Sequence, residues 1–449
     1  MNTTQFTDKK ILVAGLGKSG MATLRFLNAC GAEISGYDKV LSDERRSALA
    51  QEFPHASFYS DELKMALNHN EFDAIVLSPG ISAYLPEINA FRKKGGEVWG
   101  DIEILSSLIK GRRDKIIAIT GSNGKSTVTE LTGFLCRECG LDTVVAGNIG
   151  LPVLQAYQER QGESADVWVL ELSSFQLETT SRLDANAAAC LNISEDHLDR
   201  YNDLLHYAHT KAAIFNGIHT QVLNADDMLC RAMKRPDAIC QWFSLTDKQA
   251  DFYFDGAKFF YQNQEFFDIN NTSLQGKHNA ANIMAALALC EGIGLKREDL
   301  LAALPRFTGL PHRTEVAGEK NGVVFIDDSK GTNVGATAAA LLGIDKPIIL
   351  IAGGLGKGQD FAPLADAAKN KVKATFLIGK DAPLIEKAFN NKGLKTEFCQ
   401  TLEMAVEKSF QAASSGDCVL LSPACASMDM FRDYAHRSEI FIESFKALK

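Results

Sequence analysis

The sequence predicts an α/β protein of three domains, each a parallel sheet covered by helices, and three observations carry that expectation. Short apolar runs alternate with stretches of helical spacing along most of the 449 residues, the rhythm of parallel strands joined by crossover helices. Strand after strand ends in glycine, hydroxyl or charged residues, which puts polar groups at the carboxyl edge of a sheet, where such folds bind ligands. A segment with Gly and Pro, Phe307-Thr308-Gly309-Leu310-Pro311-His312-Arg313, breaks the rhythm as a linker. The length suits about two to four domains, and we expect them at 1–103, 104–309 and 310–449.

The first domain opens with a strand, Lys10 to Ala14. Gly15-Leu16-Gly17-Lys18-Ser19-Gly20 then forms G-x-G-x-x-G before a helix running to about Ala29. A second strand, Glu33 to Tyr37, ends at Asp38, where a dinucleotide-binding (Rossmann-like) domain places its ribose carboxylate. Read alone this says NAD, but the same turn and helix N-terminus hold any diphosphate. A strand at Asp73 to Leu77 runs into Ser78-Pro79-Gly80, a turn at the same sheet edge.

The central domain contains the most informative stretch. Ile116 to Ile119 reads as a buried strand, Thr120-Gly121-Ser122-Asn123-Gly124-Lys125-Ser126-Thr127 as a phosphate loop, and Val128 to Cys139 as the helix it opens into. Loop amides and the helix N-terminus face an anion, Lys125 adds a mobile cation, and the Ser126 hydroxyl suits the Mg2+ of a nucleoside triphosphate. The common formula G-x-x-x-x-G-K-[ST] wants glycine where Ile119 stands, so this P-loop is a shortened G-x-x-G-K-S-T variant. A strand at Thr143 to Ala146 precedes Gly147-Asn148, and Asp166 to Leu170 ends at Glu171, placed to hold magnesium directly or through water. Ala187 to Leu191 leads to Asn192-Ile193-Ser194-Glu195-Asp196-His197-Leu198-Asp199-Arg200, a third strand ending in polar residues, which makes His197 a site candidate.

Tyr201 to Phe215 has helical spacing, and by its spacing alone Lys211 is an ordinary helix lysine. Gln221 to Asn224 reads as a strand, and residues 240–275, aromatic with alternating polarity, as a β-hairpin section. A helix from Gly276 to about Cys290 sets Asn279 and Asn282 on one face, where they are also possible caps. In the third domain, strands at Val323 to Ile326, Ile348 to Ala352, Ala374 to Ile378 and Cys418 to Leu421 end respectively at Asp327 to Asn333, Gly353 to Gly358, Gly379-Lys380 and Ser422 to Ser427. That edge is a binding surface of small, hydroxylic and basic side chains.

A net charge of −9, from 47 basic and 56 acidic residues without a basic block, argues against a nucleic-acid partner. The absence of an apolar run of membrane-spanning length or of a leader pattern gives the expectation of a cytoplasmic protein with no membrane partner. Ten cysteines suit a reducing compartment. Cys136-x-x-Cys139 lies inside the helix after the phosphate loop and reads as core thiols, not as a zinc site.

Gly121 to Thr127, Asn148-Ile149-Gly150, Glu171-Leu172-Ser173-Ser174-Phe175-Gln176-Leu177-Glu178, Glu195-Asp196-His197-Leu198-Asp199-Arg200-Tyr201, His278-Asn279, Gly309 to Arg313, Asp328-Ser329-Lys330 and Leu421 to Ser427 follow in order along the chain. Together they closely resemble the Mur ligases of peptidoglycan synthesis, in particular their D-glutamate-adding branch. The resemblance spans essentially the whole chain. It implies an ATP-dependent ligase that joins D-glutamate to UDP-N-acetylmuramoyl-L-alanine (UDP-MurNAc-L-Ala) through an acyl phosphate and a tetrahedral intermediate, and it removes the need for NAD.

The resemblance also implies residue roles. Gly15, Gly17, Ser19, Asp38, Ser78, Gly80 and Asn148 would bind the UDP substrate, with Lys39 beside Asp38 near the uracil. Gly121, Ser122, Asn123, Gly124, Lys125, Ser126, Thr127, Asn279, Asn282, Arg313 and Asp328 would bind ATP. Ser126 and Glu171 would serve one Mg2+, and His197 with a carbamylated Lys211 a second, since an ammonium cannot bind a cation. Lys125, His197 and Lys211 would be catalytic. Lys330, Thr332, Lys357 and Ser427 would hold the D-glutamate carboxylates, with Tyr434 where the family often has phenylalanine. A site spread over three domains implies closure about linkers near 103 and 309, and a monomer is expected. The rivals are a sister ligase adding another amino acid, a NAD-dependent oxidoreductase, which would leave Lys125, Glu171 and His197 without a role, and a nucleotide-gated binding module. The Asp-Asn-Pro-Arg signature of the diamino-acid ligases is absent, and folylpolyglutamate synthase, which shares the ATP loop, lacks the amino-terminal glycine domain.

Overall fold

The computed structural model describes residues 3–69, 71–310 and 312–448. Pro311 of the expected linker lies outside the described residues. The first sheet holds β1 (Lys10–Ala14), β2 (Glu33–Tyr37), β3 (Ser57–Tyr59), β4 (Ala74–Leu77) and β5 (Glu97–Trp99), all parallel in the order β3-β2-β1-β4-β5. Ile11 to Ala14 and Ala74 to Leu77 are buried throughout because helices cover both faces. The two edge strands are three residues long and only partly buried, which is why no strand signal marks them in the sequence.

Residue 103, the expected end of the first domain, falls inside the helix Asp101–Ile109. Ile102, Ile104, Leu105, Leu108 and Ile109 of that helix join one apolar cluster with Ile11, Val13 and Leu24 of the first sheet layer and Trp168 and Leu170 of the second. Helix Lys18–Ala29 also packs on helix Val153–Glu159, with Phe26 edge-on to Tyr157 at 6.0 Å.

The central sheet holds β6 (Lys115–Thr120), β7 (Thr143–Gly147), β8 (Val167–Glu171), β9 (Ala187–Cys190), β10 (Thr220–Asn224), β11 (Ile239–Ser244), β12 (Phe252–Phe254), β13 (Lys258–Tyr261) and β14 (Gln264–Asp268). Their order is β14-β13-β12-β11-β10-β9-β6-β8-β7. The expected hairpin section is corrected here. β11 pairs in parallel with β10 and β12 in parallel with β11; only β12, β13 and β14 form an antiparallel meander. The apolar face of this extension is covered by the helix Lys277–Gly292, whose Ile283 to Cys290 are fully buried. The helix expected from Tyr201 starts instead at Leu204, because the Asp203 side chain caps it by accepting from His206 N–H, and it ends at Ala212 before a 3₁₀ turn. Cys136 lies in the helix Lys125–Glu138, buried in the core that also contains Cys290.

The third sheet holds β15 (Glu315–Lys320), β16 (Val323–Asp327), β17 (Ile348–Gly353), β18 (Val372–Ile378), β19 (Thr396–Phe398) and β20 (Cys418–Leu421), in the order β15-β16-β20-β17-β18-β19. Only β15 runs antiparallel. Separate apolar clusters cover its two faces. Among the described residues, no helix is long and apolar enough to cross a membrane.

Candidate active site

β6 delivers a loop whose backbone only glycine accommodates. Gly121 sits at φ +146° and Gly124 at φ +84°, where a Cβ would lie 2.4 Å from Asn282 Oδ1. The loop is fastened from the end of β9. Ser122 N–H donates to Asn192 O and Asn123 N–H to Asn192 Oδ1, both at 2.8 Å, while Asn192 Nδ2 donates back to Asn123 O at 3.0 Å. Helix Lys125–Glu138 starts directly from Gly124, so its first-turn amides join the cradle, with Thr127 buried in that turn. Lys125 Nζ donates to Gly121 O and Ser122 O at 2.8 Å each. Burial pulls its pKa down against the opposing charges of Glu171 and Asp196.

Glu171 ends β8 beside this loop. Its Oε1 accepts from Asn148 Nδ2 at 2.7 Å, and its Oε2 is buried with no hydrogen-bond partner among the described residues. The structure brings Asn148 to Glu171, through its side chain and through Asn148 N–H to Glu171 O. Lys211 is 1% exposed, and its Nζ donates to Thr120 Oγ1 at 3.2 Å and Gly121 O at 3.0 Å. Burial, reinforced by Lys125, brings its pKa down to about 7, far from that of an ordinary helix lysine.

His197 takes a left-handed backbone, φ +56°, and packs edge-on against Phe175 at 4.6 Å. Burial lowers its pKa to about 4 against the pull of Asp196, with Lys357, Lys125 and Lys211 adding to the shift. The imidazole is thus neutral at physiological pH and keeps a lone pair for a ligand. A carboxylate oxygen without a donor, a neutral imidazole and a lysine that is readily uncharged form a donor set that fits divalent metal once the amine carries a carbamate.

Asn279, Asn282, Arg313, Asp328, Asn123 and Gly124 line one cavity of about 700 Å3 between the central and third domains. Asn282 Nδ2 donates to Asn279 Oδ1 at 3.3 Å. Arg313 reaches across to Ser126, Nη2 to Oγ at 3.2 Å. Burial raises the Asp328 pKa to about 7 against the hydrogen bond from Ser422 and the charge of Arg313.

At the third-domain edge, Lys330 Nζ lies over the Tyr434 ring, 3.8 Å from its centre, and Lys330 O accepts from Thr332 N–H. Ser427 is buried at the end of the loop after β20. Lys357 Nζ reaches Asp196 Oδ1 of the central domain at 3.3 Å. Burial alone would raise the Asp196 pKa, but Lys357, His197 and Lys125 hold it below the usual range. The first-domain residues form a separate cluster. Ser78 Oγ donates to Gly15 O at 2.6 Å, Ser19 lies in the first turn of the helix capped by Gly17, and a Cβ would meet nothing within 4 Å at Gly17 or Gly80. Asp38 holds the turn itself, with Oδ2 accepting from Leu16 N–H at 2.8 Å.

Sequence reasoning passed over Asn192, which fastens the loop, and Asp196, which pairs with Lys357. Both stand within one polar run after β9, yet nothing local in the chain says which of those side chains face inward.

Three family models match the chain: "Mur ligase MurD-like, N-terminal domain" over residues 9–100, "Mur ligase middle domain" over 119–290 and "Mur ligase, glutamate ligase domain" over 312–425. The chain is 53% identical to the UDP-N-acetylmuramoylalanine–D-glutamate ligase of Chromobacterium violaceum, over 99% of both chains. It is 45% identical to the enzyme of the same name from Methylobacillus flagellatus, over 99% of this chain and 98% of that one. Among solved structures it is similar in fold to the UDP-N-acetylmuramate-alanine ligase MurC of Thermotoga maritima, with TM-score 0.62 and 19% identity over 98% and 99% of the two chains. MurF of Acinetobacter baumannii matches with TM-score 0.60 and 17% identity over 99% of this chain and 92% of that one.

Proposed function

The chain belongs to the Mur ligase family, and from that premise we infer that it joins D-glutamate to UDP-MurNAc-L-Ala with ATP in peptidoglycan precursor synthesis. The observation that carries this reading is the full-length likeness, 53% identity over 99% of each chain, to an enzyme named for that reaction. The test is ATP-dependent phosphate release with UDP-MurNAc-L-Ala and each candidate amino acid. D-glutamate should support it; release with L-alanine or diaminopimelate but not D-glutamate would overturn the substrate, and reduction of NAD would overturn the class.

The division of labour follows the three domains. Gly15, Gly17, Ser19, Ser78 and Gly80 at the first sheet edge hold the UDP end of the acyl substrate, with Asp38 stiffening the turn through Leu16. Asn148, beside Glu171, suits the reacting end of that same substrate. The alanyl carboxylate attacks the γ-phosphorus of ATP, ADP leaves, and an acyl phosphate forms. The amine of D-glutamate attacks its carbonyl, the tetrahedral intermediate expels phosphate, and the new C–N bond is the amide. Lys125 and the first-turn amides of the helix that opens from Gly124, with Thr127, neutralise the transferring phosphoryl group, where one such donor is commonly worth ~3 kcal/mol. Asn279, Asn282, Arg313 and Asp328 hold the nucleotide in the cavity they line.

Two Mg2+ would be held by Ser126 with Glu171 and by His197 with Lys211 as carbamate, and when bound they supply charge neutralisation on the phosphate oxygens. The Lys211 carbamate forms when the neutral amine adds to CO2 and loses one proton, and the burial that brings the amine to about 7 favours it. A bare amine in density from a metal-loaded crystal would overturn that assignment. Lys330, Thr332, Lys357 and Ser427 bind the D-glutamate carboxylates, with the Tyr434 ring fixing Lys330. The division is 1–103, 104–309 and 310–449, the first limit falling within the shared helix Asp101–Ile109 and not in a free linker, with the third domain closing onto the central one through Arg313 and Lys357. The reading takes the enzyme as a monomer. The ten free cysteines support a cytoplasmic location.

A further inference from the structure

A buried ion pair of the central domain grips one loop of the first domain. Glu178 has 0% and Arg200 12% side-chain exposure. Arg200 donates from Nε and Nη2 to the two Glu178 oxygens at 2.8 and 2.7 Å, and the same guanidinium donates from Nη1 to Pro79 O at 2.7 Å and from Nη2 to Ile81 O at 3.0 Å. Glu178 Oε2 also accepts from Ala83 N–H at 3.0 Å. The loop so held follows Ser78, whose hydroxyl closes on the glycine turn. On its other side the guanidinium stacks on Phe175 at 4.0 Å, and Phe175 packs on His197 at 4.6 Å. Beyond Ala83, Tyr84 packs on His206 at 4.9 Å, and its hydroxyl lies 3.3 Å from Thr210 Oγ1, next to Lys211 on the same helix.

We propose that Arg200, oriented by Glu178, is a positioning residue that registers the UDP-binding loop of the first domain against His197 and Lys211, and so sets where the acyl carboxylate arrives relative to the γ-phosphate. This rests on the ligase reading above. A planar fork bonded to four acceptors fixes both distance and angle, which a lysine cannot do. The acyl substrate is gripped at its nucleotide end and reacts at its far end, so an error in the spacing of the two domains falls entirely on the reacting atoms.

The experiment compares wild type with Arg200→Lys and Glu178→Gln. It measures kcat, the KM values, the melting-temperature rise given by ATP, and hydroxamate formed when hydroxylamine traps the acyl phosphate without D-glutamate. In the Arg200→Lys enzyme, kcat and hydroxamate should both fall by roughly 10- to 100-fold, the scale of a ~1 Å misplacement. KM for UDP-MurNAc-L-Ala and for ATP should stay within about threefold, and the ATP-induced rise should persist. Glu178→Gln, which keeps shape and one acceptor oxygen, should lie between the two. Turnover within twofold of wild type in both variants would overturn the proposal. So would hydroxamate formation unchanged while kcat falls, or loss of the ATP response alongside kcat. A wild-type enzyme inactive with D-glutamate would instead overturn the ligase reading.

Discussion

Gly124→Ala separates backbone strain from nucleotide geometry within one substitution. A non-glycine residue at φ +84° carries a steric penalty of about 1–2 kcal/mol, which for a domain of this size lowers the melting temperature by roughly 2 to 8 °C. The added Cβ would also stand 2.4 Å from Asn282 Oδ1, where ordinary contact begins at 3.4 Å. Asn282 is buried and its amide bonds Asn279, so its side-chain end must shift by about 1 Å where it lines the nucleotide cavity, a displacement on the scale that costs about 10²-fold in rate. The assay is kcat/KM for ATP in phosphate release, beside a melting curve with and without UDP-MurNAc-L-Ala. We expect kcat/KM for ATP to fall about 10²-fold with the UDP-substrate response kept. Adding Asn282→Ala removes the clash, so the double variant should regain part of the melting temperature without regaining activity. A Gly124→Ala enzyme whose kcat/KM for ATP stays within threefold of wild type would refute the reasoning.

Lys125→Ala should abolish turnover while the melting-temperature rise given by UDP-MurNAc-L-Ala stays largely intact; losing that rise would mean the two sites are not separate. Lys357→Met should raise KM for D-glutamate at least tenfold and leave KM for ATP within about twofold, since the removed cation serves one carboxylate; equal changes in both constants would reject that role. Lys211 titrates near about 7 when folded, against 10.5 when free, so in that window only the unfolded chain binds the proton. In CO2-free buffer the penalty is therefore full below about pH 7 and is relieved as pH rises toward 10.5. Lys211→Met should gain stability over wild type most at about pH 6.5 and least at about pH 9.5, read from urea midpoints; a difference that does not vary with pH would count against a neutral buried amine.

The parts of the site that lie on a short stretch of chain were legible in the sequence, and those made between stretches were not. Gly121 to Thr127 could be read because strand, turn and helix N-terminus are contiguous and the glycines are required by backbone angles. Glu171 and His197 could be read because each follows a buried strand of one parallel sheet. The bond from Lys357 to Asp196 spans 161 residues and that from Arg200 to Pro79 spans 121, so both depend on how domains dock, which no local period encodes. Lys211 looked ordinary because its burial comes from the loop at Thr120 and Gly121, far away in sequence. Asp38 was read for a ligand, and the structure adds a second use, one of its oxygens accepting from Leu16 N–H, which a carboxylate at the end of a strand cannot announce. Strand β11 was misread because an alternating aromatic run looks the same whether its neighbour is parallel or antiparallel.

The apolar cluster that runs without a break from Ile11 and Phe26 through Ile104 and Leu108 to Tyr157 and Trp168 ties the first two sheets into one cooperative folding unit, while the third domain keeps clusters of its own. The amino-terminal domain is for that reason not separable: cut away after residue 100, it would lose the helix Asp101–Ile109 and the Tyr157 ring that cover it, expose Phe26 to water and aggregate rather than persist as a small nucleotide binder. Heating should melt the molecule in two blocks and not three, and the chain from residue 312 onward is the block that can be lifted off.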